Sequence, residues 1–213
     1  MTKYADVWND LHKEFAKTNE VKYDDWLEEF DEIIASVDTK IIDLGCGVTG
    51  NNTLYLLEKG KHVVSCDFAE EALKIVSKIK GSETQLFDMR DGLPFENNCT
   101  NLVVADLSLH YFKKEETEKI ISEIKRVLLP NGYLFVRLNS TNSSEYKKLI
   151  ANGVEEIEHN LFFANNMEKR FFDENDVNEY FKDWTVICKR EENMARWCKD
   201  KIIWKCAFQN TKK

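Results

Sequence analysis

The sequence predicts an α/β fold with a mostly parallel sheet, and three patterns carry that prediction. Five short apolar runs, rich in β-branched and aromatic residues, recur between Lys40 and Asn139: KIIDL, KHVVSCDF, TQLFDM, NLVVADL and GYLFVRLN. Each reads as a buried strand. Helix-like segments separate several of them, and the alternation implies βαβ units with helices on both faces of the sheet. Two further runs near the end, WTVICKRE and KIIWKCAF, are too close in sequence for a crossover and are expected to pair antiparallel.

Taken in order, Tyr4, Trp8, Leu11 and Phe15 share one helical face, and Trp26, Phe30, Ile33 and Ile34 share another, so residues 1–37 read as an N-terminal helical cap. Residues 39–139 hold the five strand-like runs. Their helices NNTLYLLEKG and AEEALKIVSKIKG stop at Gly60 and Gly81, and KEETEKIISEIKRVLLPNG stops at the Pro130–Gly132 turn. Residues 140–172 lack periodicity and contain the pairs Phe162–Phe163 and Phe171–Phe172, which marks an irregular insert. Residues 173–208 begin with Asp173 as a helix cap, stapled by Phe172 and Val177, and end in the strand pair.

At 213 residues the chain fits one domain with a sizeable core. A net charge of −8 argues against a nucleic-acid partner, which requires a basic surface for counterion release. No apolar run is long enough for a membrane span, and MTKYADVWNDLHKEF lacks the apolar stretch of a secretion signal, so the expected location is cytoplasmic. The six cysteines form no CxxC pair, so neither a zinc site nor a disulfide framework is expected.

The chemistry concentrates where strands end. TKIIDLGCGVTGNN closes a strand on Asp43 and follows it with Gly45, Gly47 and Gly50. Glycines there let the backbone turn sharply and approach a ligand, and the next helix offers unpaired N–H groups. An acid beside a phosphate is unfavourable, whereas beside a sulfonium or ammonium it is favourable. Asp67, 24 residues after Asp43, ends the next strand, where an acid accepts ribose hydroxyls. Asp88 ends the third, placed for an adenine amino group, with Met89 to cover the ring. Cation, ribose and adenine in that order describe S-adenosylmethionine. A nicotinamide dehydrogenase is disfavoured, because DLGCGVTG lacks a clean GxGxxG.

Successive pieces, IIDLGCG, SCDFAEEAL, FDMRDGLPF, LVVADLSLHYF and RVLLPNGYLFV, resemble the ordered motifs of class I S-adenosylmethionine-dependent methyltransferases. The resemblance implies a Rossmann-like, doubly wound sheet of seven strands, the last antiparallel. Within that family the chain is similar to the small-molecule branch, which includes tellurite-resistance-type enzymes. It implies that Asp43, Gly45, Cys46 and Gly47 meet the methionine and ribose side of the cofactor. Asp67 would hold the ribose hydroxyls, Phe68 would flank the adenine, and Asp88 and Met89 would bind it. Asp106 and Leu107 would sit beside the methionine end. The family pattern GxGxG is not matched: an extra residue precedes Gly50, so Gly50 is not carried over and the loop is expected to bulge.

The implied reaction is in-line methyl transfer to a small-molecule acceptor, with no metal. His110 and Tyr111 follow the fourth strand, where open α/β sheets place their crevice, and His110 is the candidate base for an acceptor that carries a proton. Tyr4 and Trp8 are read either as a lid over the cofactor or as ordinary buried aromatics. His159, Arg170 and the Phe pairs are read either as pocket lining or as packing. A non-catalytic module that binds the cofactor or a partner protein would share the cofactor motifs; formation of demethylated product separates the two.

Overall fold

The computed structural model describes residues 3–18, 24–194 and 201–211. Helix α1 (Lys3–Thr18) and the short α2 (Asp31–Ser36) precede strand β1 (Ile41–Leu44). Then follow α3 (Asn51–Glu58), β2 (Val63–Asp67), α4 (Glu70–Val76), β3 (Glu83–Leu86), β4 (Thr100–Asp106), α5 (Lys114–Val127) and β5 (Leu128–Asn139). The insert holds α6 (Ser144–Ala151), β6 (Glu156–Glu158), β7 (Leu161–Ala164) and β8 (Met167–Arg170). The chain ends with α7 (Glu174–Tyr180), β9 (Trp184–Asn193) and β10 (Ile202–Asn210).

Seven strands form one sheet in the order β3-β2-β1-β4-β5-β10-β9. Neighbours among the first five are parallel, and β10 runs antiparallel to both β5 and β9. The doubly wound sheet with an antiparallel C-terminal strand is therefore present as the sequence predicts. Alternate residues of β1 serve opposite faces. Ile42 and Leu44 join Val103, Val136, the α5 stripe Ile120–Ile124–Val127 and Phe181. Ile41 joins Trp26, Phe30, Ile34, Tyr55 and Phe135. Both faces are thus sealed by helices, which is why the central strands are apolar throughout.

Three local expectations differ. The third run is not a buried strand: β3 stops at Leu86 on the sheet edge, and Glu83, Thr84 and Leu86 are exposed. Asp88 therefore lies beyond the strand and caps a single 3₁₀ turn over Met89–Asp91. The Pro130–Gly132 turn is absorbed into β5, which starts at Leu128; Asn131 takes a positive φ of 64° and the register with β4 shifts there. Finally, the insert is more regular than its sequence suggests. Strands β6, β7 and β8 form an antiparallel meander, and Asn165 and Asn166, both at positive φ, make the two-residue turn between β7 and β8.

The strand order reverses between β1 and β4. In open parallel sheets the ends of two strands diverge at such a point and leave a crevice at their carboxyl edge. The turns after β1 and β4 face each other there.

Candidate active site

The crevice is closed at its base by contact between those two turns. Gly45 has φ of 80°, and a Cβ on it would lie 2.4 Å from the Ser108 Cβ. Ser108 also donates its hydroxyl to the Leu44 carbonyl at 2.6 Å. Gly45 is thus required by a protein–protein approach. Gly47 is the contrasting case: φ is 59°, and a Cβ there would meet no atom within 4 Å. Gly50, after the extra residue, is the N-cap of α3 and packs near Ile79 and Val76 of the α4 region.

Asp43 is fully buried on the α3 side of β1. Its Oδ2 accepts from the Thr53 hydroxyl at 2.7 Å, and Oδ1 accepts from Asn52 Nδ2 at 3.4 Å. Trp26 Nε1 donates to Asn52 Oδ1 at 2.9 Å, and the Thr53 and Ser65 hydroxyls are 2.7 Å apart. Burial pushes the carboxyl up to about 7, against the Thr53 and Asn52 hydrogen bonds. Its oxygens face the first turn of α3 and are enclosed from the crevice.

Asp67 ends β2 and is also buried. Its Oδ2 accepts from the Gly47 N–H at 3.0 Å and its Oδ1 from the Ala69 N–H at 2.9 Å. Burial raises its pKa, and those two N–H groups oppose the rise. The N-cap of α4 is Ala69, and Asp67 serves the turn just before it. The Cys46 backbone N–H donates to the Cys66 carbonyl at 2.9 Å, while its thiol is buried beside Leu73 and Val76. Burial, with Asp67 and Asp43 nearby, raises that thiol well above its ordinary value.

Phe68, half-buried, meets Trp8 of α1 edge-on at 6.5 Å, and Trp8 meets Tyr111 edge-on at 4.9 Å. Asn9 Oδ1 accepts from the Glu71 N–H at the start of α4 at 3.2 Å. Helix α1 therefore runs from the β2 turn to the β4 turn at the crevice edge. The Tyr4 side chain lies outside the described residues. Met89 is buried in the core near Gly45, and Asp88 is engaged by Arg90 through backbone and guanidinium, with Oδ2–Nη2 at 2.5 Å. Burial works against ionisation of Asp88, but the Arg90 contacts win and its pKa falls.

Past β4, Leu107 is held at φ of 53°, a strained value for a side chain of that size. Asp106 makes a bidentate pair with Arg137, at 2.7 Å for both bonds, and Arg137 also reaches Asp24 at 2.7 Å. The guanidinium, buried at the carboxyl end of β5, lies 4.6 Å from the Trp26 ring centre. Such a charge is tolerated inside only when paired in this way. Sequence reasoning missed Arg137, although a lone charge in the apolar run LFVRL is its signal. His110 is buried, its ring 4.3 Å from Tyr111. Burial, and after it the Lys169 and Lys201 charges, hold His110 well below its ordinary pKa, so the imidazole is neutral.

The insert residues divide. Arg170 is a staple: it donates to the carbonyls of Phe112 and His159 and to Glu158, while its N–H meets the His110 carbonyl at 2.8 Å. Phe162 and Phe171 pack with Tyr146 inside the insert, and Phe172 joins the main core. His159 is exposed, beside Asp173 and Asp176, outside the crevice.

A switch-point crevice with a glycine turn and buried strand-end acids is the frame of a doubly wound α/β ligand-binding fold. Comparison with known proteins agrees. Residues 42–136 match the family model described as a methyltransferase domain. The sequence is 28% identical over 161 residues to the "probable S-adenosyl-L-methionine-dependent methyltransferase TehB" of Haemophilus influenzae, covering 73% of this chain and 49% of that one. The fold superposes on a SAM-dependent methyltransferase from Methanosarcina mazei with TM-score 0.72, at 20% identity, covering 83% of this chain and 94% of that one. It also superposes on 1,6-didemethyltoxoflavin-N1-methyltransferase of Burkholderia thailandensis, solved with its substrate and S-adenosylhomocysteine. There the TM-score is 0.68 at 16% identity, covering 99% of this chain and 90% of that one. The chain spans about half the length of the curated relatives it matches. Residues 42–136 thus resemble a methyltransferase domain, and the chain shares the fold of the S-adenosylmethionine-dependent methyltransferases on which it superposes.

Proposed function

We propose that the chain catalyses transfer of the cofactor's methyl group to a small-molecule acceptor by in-line displacement. When bound, S-adenosylmethionine supplies a methyl on an already activated sulfonium leaving group. The observation that carries the reading is the open space at Gly47 beside the Asp67 carboxylate, at the switch point and under the α1 aromatics.

The residues fit that group. Asp67 uses one lone pair of each oxygen on the backbone and keeps others for ribose hydroxyls. Asn51 Oδ1 is buried and unpartnered in the first turn of α3. Phe68 would flank the adenine, and Met89 with Asp88 its far edge. Gly45 and Cys46 shape the turn, and Asp43 acts as a positioning residue that fixes α3 through Thr53 and Asn52. Leu107 and Asp106 border the methionine end, Asp106 oriented by Arg137.

Methyl transfer from an activated donor needs alignment and exclusion of water more than acid–base help, and alignment alone is worth roughly 7–11 kcal/mol. Trp8 and Tyr111 would exclude water, and His110 would be the base for an acceptor hydroxyl or amine, with its burial opposing the protonated form. Two features favour a small acceptor: α1 crosses the crevice edge, and the acidic chain does not suit nucleic acid. The Burkholderia neighbour, which binds a small heterocycle, supports the same class.

The test is incubation with S-adenosylmethionine and a panel of thiols, amines, phenols and oxyanions, following S-adenosylhomocysteine. Turnover on at least one small compound is expected. Methylation of protein or RNA fractions with none of the panel would overturn the small-molecule reading.

A further inference from the structure

The side of the crevice towards β5 and β10 holds polar groups that the protein leaves unanswered. His110 and Asn139 are 1% and 2% exposed, yet His110 Nδ1 and Asn139 Nδ2 have no hydrogen-bond partner. Buried polar atoms in folded proteins are almost always paired, by protein, water or ligand. Lys201 is the third member. Lys169 is paired with Glu145, and Arg137 with Asp106 and Asp24, but Lys201 makes no ion pair among the described residues.

The ladder register brings these groups to one place. Ile203 sits opposite Asn139 in the β5–β10 pair, and Lys201, two residues before Ile203, falls on the same face. Arg137, two residues before Asn139, shares that face and pairs with Asp106. The Lys201 charge is felt at His110, and Lys201 in turn lies within the fields of Lys169, Asp106, Glu145 and Arg137. A turn after β4, the end of β5 and the start of β10 thus converge beside the methionine end of the crevice.

We infer that Lys201, Asn139 Nδ2 and His110 Nδ1 form a subsite for an anionic group of the methyl acceptor, a carboxylate or a comparable oxyanion. This rests on the small-molecule reading above. All three groups can donate a hydrogen bond, His110 as its neutral Nδ1–H tautomer. The nearby carboxylates Asp106 and Glu145 are already committed to Arg137 and Lys169, so a cationic acceptor would meet Lys201 without a countercharge. An anion instead supplies the partner that Lys201 lacks and accepts from both orphaned donors. The acceptor's nucleophile is then held next to its own negative group, on the side where the cofactor's methyl would be presented.

The experiment uses protein saturated with S-adenosylhomocysteine and matched pairs of compounds: acetate, benzoate, phenylacetate and indole-3-acetate against the corresponding carboxamides. Thermal midpoints report binding. At least one carboxylate is expected to raise the midpoint while its amide does not. Lys201→Met is expected to weaken that carboxylate by about tenfold, with S-adenosylhomocysteine affinity within about twofold of the parent. Asn139→Leu, which removes an unpaired donor and is expected to fold, should show the same selective loss. Equal responses to acids and amides, no response to any carboxylate, or an unaltered response in both variants overturns the subsite. Turnover of a neutral or cationic small acceptor alongside any of these results leaves the small-molecule reading intact.

Discussion

Asp67 follows from β2 and His110 from β4, and both are buried, yet they live in opposite surroundings. The Asp67 carboxylate has partners within the protein: Gly47 and Ala69 donate to it. Asp43 likewise has Thr53 and Asn52. Around His110 the bonding is incomplete, with His110 Nδ1 and Asn139 Nδ2 unpaired. The proposed cofactor side is built from short local turns whose acids are bonded within the protein, Asn51 Oδ1 being the exception. The proposed acceptor side draws on the β4 turn, β5 and the start of β10, and two of its buried polar atoms have no partner. A site that serves one fixed cofactor can be completed internally; a site that discriminates an acceptor must keep its donors free.

The largest expected effect breaks this comparison at Arg137, which is paired with both Asp106 and Asp24. Arg137→Met leaves Asp106, 13% exposed at its side chain, without its countercharge and should cost about 3–5 kcal/mol in denaturant unfolding. A loss under about 1 kcal/mol would mean that the pair does not organise this side. On the cofactor side, Asp67→Ala should weaken cofactor binding by about 1–3 kcal/mol in calorimetry, by loss of charge-assisted hydrogen bonds. Unchanged affinity in a folded variant would remove Asp67 from the ribose role.

A further effect concerns pH. The Asp43 carboxyl is raised to about 7 by burial, so the folded protein holds a proton that the unfolded chain releases near its ordinary value of 3.8. Stability from this group is full below the unfolded value and is lost as pH rises through about 7. Asp43→Asn should therefore flatten the thermal midpoint profile between those limits, measured without cofactor. Parallel profiles for parent and variant would show that Asp43 is ionised throughout.

How far the sequence was legible follows the same division. Asp43, the glycines and Asp67 lie within a few residues of the strand ends that expose them, so period and spacing located them. The strand before Asp88 was read too long, because Met89 belongs to the core and Phe87 packs against it without either belonging to β3. The Asn165–Asn166 turn carried a hairpin signal that the polar insert concealed. Arg137 was visible as a lone charge in a strand. Lys201 and Asn139 carried no local signal.

By itself, then, the sequence determined the alternation of strands and helices, the antiparallel ending and the acids and glycines of the cofactor turn, because each is a property of neighbouring residues: hydrophobic period, backbone freedom, a charge at a strand end. Only the tertiary structure decided that Asp43 faces inward to α3, that Trp8 reaches Phe68 and Tyr111, and that Lys201, Asn139 and His110 share one corner. Those facts depend on strand order and ladder register, which set distances between residues far apart in the chain.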